Sequence, residues 1–130
     1  MCGICGIVLP DGSSRRLDAP LVERMRDVLV HRGPDGAGLF LAPGVGLGHR
    51  RLSIVDVAHG AQPMASADGS LQMVYNGEVY NHPELMPALQ RDGFGYRTHC
   101  DTETVLHVYE RDGVAAPASL RGMFAFAIWD

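Results

Sequence analysis

Three cysteines and six histidines carry most of the reactive chemistry available to this 130-residue chain. Cys2 follows Met1 directly. A second residue this small permits removal of the methionine, which puts a thiol and a free α-amine on one residue. A free amine titrates near ~8 and a thiol near ~8.5, so the amine can activate the thiol without a histidine partner. The same residue also suits the start of a buried strand, as a small hydrophobe. Cys2 and Cys5 make a C-x-x-C spacing, found in redox pairs and in half-sites for zinc. A zinc site would need Cys100 and one of His31, His49, His59, His82, His99 or His107, and no second C-x-x-C or H-x-x-x-H supplies them. Within a strand, residues three apart face opposite sides, which also separates Cys2 from Cys5.

Arg50 and Arg51 follow Gly46-Leu47-Gly48-His49. A guanidinium clamps a carboxylate through two parallel hydrogen bonds, and adjacent strand residues diverge, so only one of the pair can face a given pocket. A solvated pair fits the same sequence. Asn76-Gly77-Glu78 supports two structures. A type I′ hairpin turn accounts for Asn-Gly in full. Alternatively, the Asn76 amide and the Gly77 N–H converge on one oxygen as an oxyanion hole, with glycine allowing close backbone approach. Asp101 serves either as a helix cap or as the partner of a substrate ammonium.

Around these residues the patterning predicts an α+β domain. Gly3–Leu9 reads as a buried strand ending at Pro10-Asp11-Gly12. Asp18 caps a helix with Pro20 in its first turn, burying Leu21, Met25, Val28 and Leu29 and leaving Arg24, Arg26 and Asp27 in solvent. His31–Gly36 is a loop. Strands follow over Leu39–Ala42 and Val45–Ile54, then another around Leu71–Tyr75 that leads into the Asn76-Gly77 turn. Pro83–Arg91 is a weaker helix because Pro87 deletes a bond. Thr102–Asp112 is a helix capped by Asp101 and closed by Gly113. Met123–Trp129 is a continuously apolar strand, expected to be buried on both faces. The chain stops just after it, which reads as a fold left incomplete on its C-terminal side.

Composition narrows the function classes. Fifteen acidic residues against eleven basic ones give a net charge of −4, with no footprint for nucleic acid or an anionic membrane. All eleven basic residues are arginines, so no lysine is present for Schiff-base or P-loop chemistry. The longest apolar run falls far short of the roughly 18 residues of a membrane span, and a cytoplasmic protein is expected.

The motifs then converge. Met1-Cys2-Gly3-Ile4-Cys5-Gly6-Ile7, His31-Arg32-Gly33-Pro34-Asp35-Gly36, Leu47-Gly48-His49-Arg50-Arg51-Leu52-Ser53-Ile54-Val55-Asp56, Tyr75-Asn76-Gly77-Glu78-Val79-Tyr80-Asn81, Asp101-Thr102-Glu103 and Leu120-Arg121-Gly122-Met123-Phe124-Ala125-Phe126-Ala127 occur in this order. Over the whole of 1–130 the chain resembles the amino-terminal glutaminase domain of the asparagine synthetases, a class II glutamine amidotransferase. The resemblance implies an N-terminal-nucleophile (Ntn) hydrolase fold, a four-layer α/β/β/α sandwich with antiparallel sheets, and hydrolysis of L-glutamine to glutamate and ammonia. It implies Cys2 as nucleophile, its amine as base, and Asn76 and Gly77 holding the oxyanion. Arg51 would grip the glutamine carboxylate, Asp101 and Glu78 the ammonium, and Ile54 and Val55 would line the pocket. Arg32 and Asp35 would shape the loop beside the nucleophile. Cys5 departs from the usual non-thiol residue at its position. No cofactor or metal is implied for this domain. ATP and magnesium belong to a synthetase domain, in the same parent chain or a partner chain, which would use the ammonia to make asparagine or a related amide. A truncated, non-catalytic module that binds glutamine or a partner is the competing expectation.

Overall fold

Strand β1 (Gly3–Val8) begins one residue after Cys2. The computed structural model describes residues 2–10, 17–53 and 59–130. Helix α1 (Ala19–Asp27) follows, then β2 (Gly36–Ala42) and β3 (Val45–Arg51) around the turn at Gly44. These strands form an antiparallel sheet in the order β1-β3-β2, with Gly3 opposite Arg50 and Gly36 opposite Arg51.

The alternation in β3 decides what lies on each side of this sheet. Val45 and Leu47 point toward Val74 of the second sheet, while Gly46 and Gly48 lie under α1. A Cβ on Gly46 would stand 2.9 Å from Val22, and one on Gly48 3.1 Å from the Cβ of Arg26. The helix therefore rests almost on backbone. This changes the face that α1 buries: Val22 is fully buried, whereas Leu21 and Val28 are exposed. The expected stripe also divides at its end: Val28, six residues after Val22, lies off the buried face, while Leu29 packs against Gly3 of β1. Arg26 does not face solvent as expected. Its stem covers Gly48 and its side chain is 15% exposed. Asp18 occupies the N-cap position without a side-chain capping bond.

The second sheet has the order β4-β5-β6, with β4 (Met64–Ala65), β5 (Gln72–Val79) and β6 (Gly122–Trp129) all antiparallel. Asn76 and Gly77 form no hairpin turn. They lie inside β5, opposite Ala125 and Phe124 of β6. A Cβ on Gly77 would come within 2.3 Å of the Met123 carbonyl oxygen, so glycine serves close strand contact here and not a turn conformation.

Helices α2 (His82–Arg91) and α3 (Asp101–Asp112) cover the outer face of this sheet. Pro87 lies within α2 without ending it. Leu89, Val105, Leu106 and Val108 pack with Met73, Tyr75 and Val79 as the main core. Asp101 is the first residue of α3 and Cys100 the N-cap, so Asp101 is not the cap that the sequence predicted. The layers run α1, sheet, sheet, α2 with α3, the four-layer sandwich that the family resemblance implied. Strand β6 is not buried on both faces. Phe124, Phe126 and Ile128 pack partly on the core, while Met123, on the opposite face of the strand, is 58% exposed. No helix among the described residues is long and apolar enough to cross a membrane.

Candidate active site

Cys2 sits at the head of β1, where the two sheets face one another. The Leu52 N–H donates to its Sγ over 3.4 Å, and the thiol lies 3.7 Å from the Leu52 carbonyl oxygen. Arg32 Nε donates to the Cys2 carbonyl at 3.1 Å, so the loop before β2 fixes the backbone that carries the thiol. That loop is itself held: Asp35 accepts the Ser53 N–H at 2.8 Å and returns its own N–H to the Arg51 carbonyl at 2.9 Å.

The two arginines separate as strand geometry requires. Arg50 turns toward α1, donating to the Gly33 carbonyl at 3.0 Å and approaching Asp27 at 3.6 Å. Arg51 turns the other way. Its guanidinium passes Gly60, where a Cβ would fall 2.4 Å from Nη2 and 3.1 Å from the Cys100 sulfur. Cys5, on the opposite face from Cys2, lies against Gly48 and Arg26, and burial pushes its thiol pKa up. The C-x-x-C pair is thus split between two layers. Among the described residues no group of three potential ligands is placed to hold a metal ion.

Strand β5 supplies the other wall through Tyr75, Asn76, Gly77 and Glu78, and the start of α3 supplies Asp101. The Asp101 carboxylate accepts the Tyr75 hydroxyl at 2.7 Å and the Val79 N–H at 2.8 Å, both on Oδ2. Oδ1 is the oxygen left for a ligand. Burial first, and then the bonded Asp101 carboxylate, raise the Tyr75 hydroxyl far above its ordinary pKa, so it stays a proton donor across the working range.

These side chains meet around one cavity of about 260 Å³, close to the lower limit of small-ligand pockets and matched to a ligand of amino-acid size. Of the residues expected from sequence, Cys2, Arg51, Asn76, Gly77, Glu78 and Asp101 all line it. Ile54 and Val55 lie outside the described residues. Gln62, Tyr75 and Cys100 also line the cavity and had no place in the sequence-based site. Tyr75 appeared in the sequence only as a step of strand alternation and as the first residue of a family motif, Cys100 only as a zinc-ligand candidate, and Gln62 carried no signal.

His49 was another omission. It is 1% exposed, and its Nε2 lies 3.2 Å from the Tyr75 carbonyl oxygen. That acceptor assigns the proton to Nε2 and leaves Nδ1 bare, without a hydrogen-bond partner. Burial lowers the His49 pKa from 6.5 to about 4, with the Arg51 charge adding to the effect and the Tyr75 carbonyl opposing it. The unfolded chain therefore takes up a proton that the native one refuses. The His49 contribution to stability is full above about pH 6.5 and falls by roughly 3 kcal/mol as the pH drops to about 4. Urea unfolding from pH 7 to 4 should show this loss in the native chain and a shallower one in His49→Gln; equal slopes would refute it.

Comparison with known proteins adds three findings. A family model described as "Glutamine amidotransferase domain" matches residues 1–130. The chain is 41% identical over 131 aligned positions to asparagine synthetase [glutamine-hydrolyzing] 1 of Bacillus subtilis, covering 100% of this chain and 21% of that protein. It is 38% identical to asparagine synthetase B [glutamine-hydrolyzing] of Escherichia coli, covering 100% of this chain and 23% of that protein. The chain thus spans only about a fifth of the length of these relatives. Among solved structures, the glutamine phosphoribosylpyrophosphate amidotransferase of Bacillus subtilis superposes with a TM-score of 0.76 at 23% identity, over 99% of this chain and 35% of that one. That likeness extends to the fold.

Proposed function

Because the chain belongs to the glutamine amidotransferase domain family, we propose that it hydrolyses L-glutamine to glutamate and ammonia in the cavity headed by Cys2. One observation carries the reading: a thiol, a guanidinium, a carboxylate and the Asn76-Gly77 pair line a single amino-acid-sized space although they come from different elements. Arg51 and Asp101 provide opposite charges for the carboxylate and ammonium of an α-amino acid, with Glu78 on the ammonium side.

In this reading Met1 is removed and the freed α-amine of Cys2 accepts the thiol proton. The thiolate attacks the side-chain amide carbon of glutamine, and the negative charge moves to the amide oxygen. The Asn76 side-chain amide and the Gly77 N–H receive that oxygen. As the tetrahedral centre collapses, the carbon–nitrogen bond breaks and the protonated amine returns its proton to the departing nitrogen. Ammonia leaves and a thioester remains. Water, deprotonated by the same amine, attacks the thioester, releasing glutamate and restoring the thiol. A thiol and an amine complete this cycle, so no metal or nucleotide is assigned to it. We assign the ammonia to a synthetase unit, in the same parent chain or a partner, that amidates aspartate or a related carboxylate; the relatives, asparagine synthetases by name, favour asparagine as product.

The test is intact mass spectrometry of the purified chain before and after incubation with a diazo-ketone analogue of glutamine, followed by peptide mapping. The expected result is a starting mass without Met1 and one adduct on Cys2. A correctly processed chain that takes no adduct, or takes it on Cys100, refutes the reading in favour of a non-catalytic module.

A further inference from the structure

Strand β4 is only two residues long, pairing Met64 with Met73 and Ala65 with Gln72. Beyond that point two side chains take over its role along the edge of β5. Gln62 Oε1 accepts the Tyr75 N–H at 2.6 Å, and His49 Nε2 donates to the Tyr75 carbonyl at 3.2 Å. Gln62 comes from the segment leading into β4, but His49 comes from β3 in the other sheet. The His49 bond therefore ties the two sheets together where no backbone ladder can. It is buried, so loss of the donor would leave an unpaired carbonyl.

In an antiparallel strand the N–H and C=O of one residue share an edge, and the edge alternates with each residue. Gly77 therefore directs its N–H to the same edge as Tyr75 and Val79. It lies between two anchored peptides, Tyr75 held by Gln62 and His49, and Val79 held by Asp101. His49 is also two residues before Arg51 on the same face of β3. One strand thus carries the arginine of the cavity and the clamp on the opposite wall.

We propose that His49 and Gln62 are positioning residues for glutamine hydrolysis, holding the Tyr75 peptide so that the Asn76 amide and Gly77 N–H stand at a fixed distance from the Cys2 thiol. This rests on the glutaminase reading of the cavity. A fixed donor is worth most in the transition state, when the oxygen bears charge, and little when glutamine first binds.

The test compares His49→Leu, which cannot donate, with His49→Gln, whose amide can. Rates are corrected for the folded fraction measured by denaturant unfolding. In His49→Leu, kcat should fall on the order of 10- to 100-fold while KM for glutamine stays within about threefold. An aldehyde analogue of glutamine, which forms a tetrahedral adduct on the thiol, should lose affinity by the same factor as kcat/KM. His49→Gln should recover most of the loss. Unchanged kcat in folded His49→Leu, a rise in KM alone, or equal impairment in folded His49→Gln overturns the proposal. If His49→Leu does not fold, Gln62→Leu against Gln62→Glu makes the same comparison, since the carboxylate keeps the acceptor. A native chain that neither releases glutamate nor takes a Cys2 adduct defeats the functional reading instead. Hydrogen exchange then decides the clamp: faster exchange of the Gly77 amide in His49→Leu than in both the native chain and His49→Gln supports it, and unchanged exchange in His49→Leu, or equal acceleration in His49→Gln, overturns it.

Discussion

Replacing Cys2 by alanine should abolish glutamate release, lowering the rate by at least about 10⁴-fold, because in the proposed mechanism the nucleophile and the atom that carries the thioester vanish together. The fold should survive. Cys2 precedes β1, is only half-buried, and is held through its carbonyl by Arg32, a contact that alanine keeps. Glutamine should still bind to Arg51 and Asp101. Calorimetry with glutamine and a continuous glutamate assay separate the two effects. The adduct expected on Cys2 should be missing from Cys2→Ala, although Cys100 lines the same cavity. A variant that still turns over glutamine would assign the chemistry to another group and end the mechanism.

The second large effect is expected from Asp101→Asn. The Asn Oδ1 can replace the carboxylate oxygen that accepts the Tyr75 hydroxyl and the Val79 N–H, so the start of α3 stays attached to β5. The amide nitrogen then stands where Oδ1 stood, presenting hydrogens to the substrate ammonium. A charge-assisted bond contributes about 1.5–3 kcal/mol, which corresponds to a KM roughly 10- to 150-fold higher. kcat should change much less, since the ammonium is bound alike before and during reaction. Steady-state kinetics over a wide glutamine range is the measurement. An unchanged KM in a destabilised protein would make Asp101 a helix-to-strand tie and nothing more.

The layered fold was legible because β1, β3, α1 and α3 each carry strong local patterns. Positions decided by tertiary contact were not. Asn76-Gly77 has the composition of a tight hairpin turn, yet β6, more than forty positions away in sequence, pairs alongside and keeps the dipeptide extended. The stripe of α1 was misread because it is set by Gly46 and Gly48 beneath the helix, not by helical period alone. The expectation for β6 failed because an unbroken apolar run does not say whether another layer covers each face of the strand. Within the site, Cys2, Arg51 and Asp101 were reached by residue chemistry and by family resemblance. His49 and Gln62 act on a backbone peptide, and no local spacing marks such a role.

The place of Asn76-Gly77 inside β5 also governs how the protein ages. Asparagine followed by glycine is the dipeptide most prone to spontaneous deamidation, because an unhindered glycine nitrogen can close on the asparagine side chain as a succinimide. That closure needs a backbone free to leave extended geometry. Here Asn76 and Gly77 are paired in register with Ala125 and Phe124, and the Met123 carbonyl presses close to the glycine. The pairing that holds this amide in the cavity wall thus also shields it from becoming a carboxylate, and the shelf life of the site is set by how rarely β6 peels from β5.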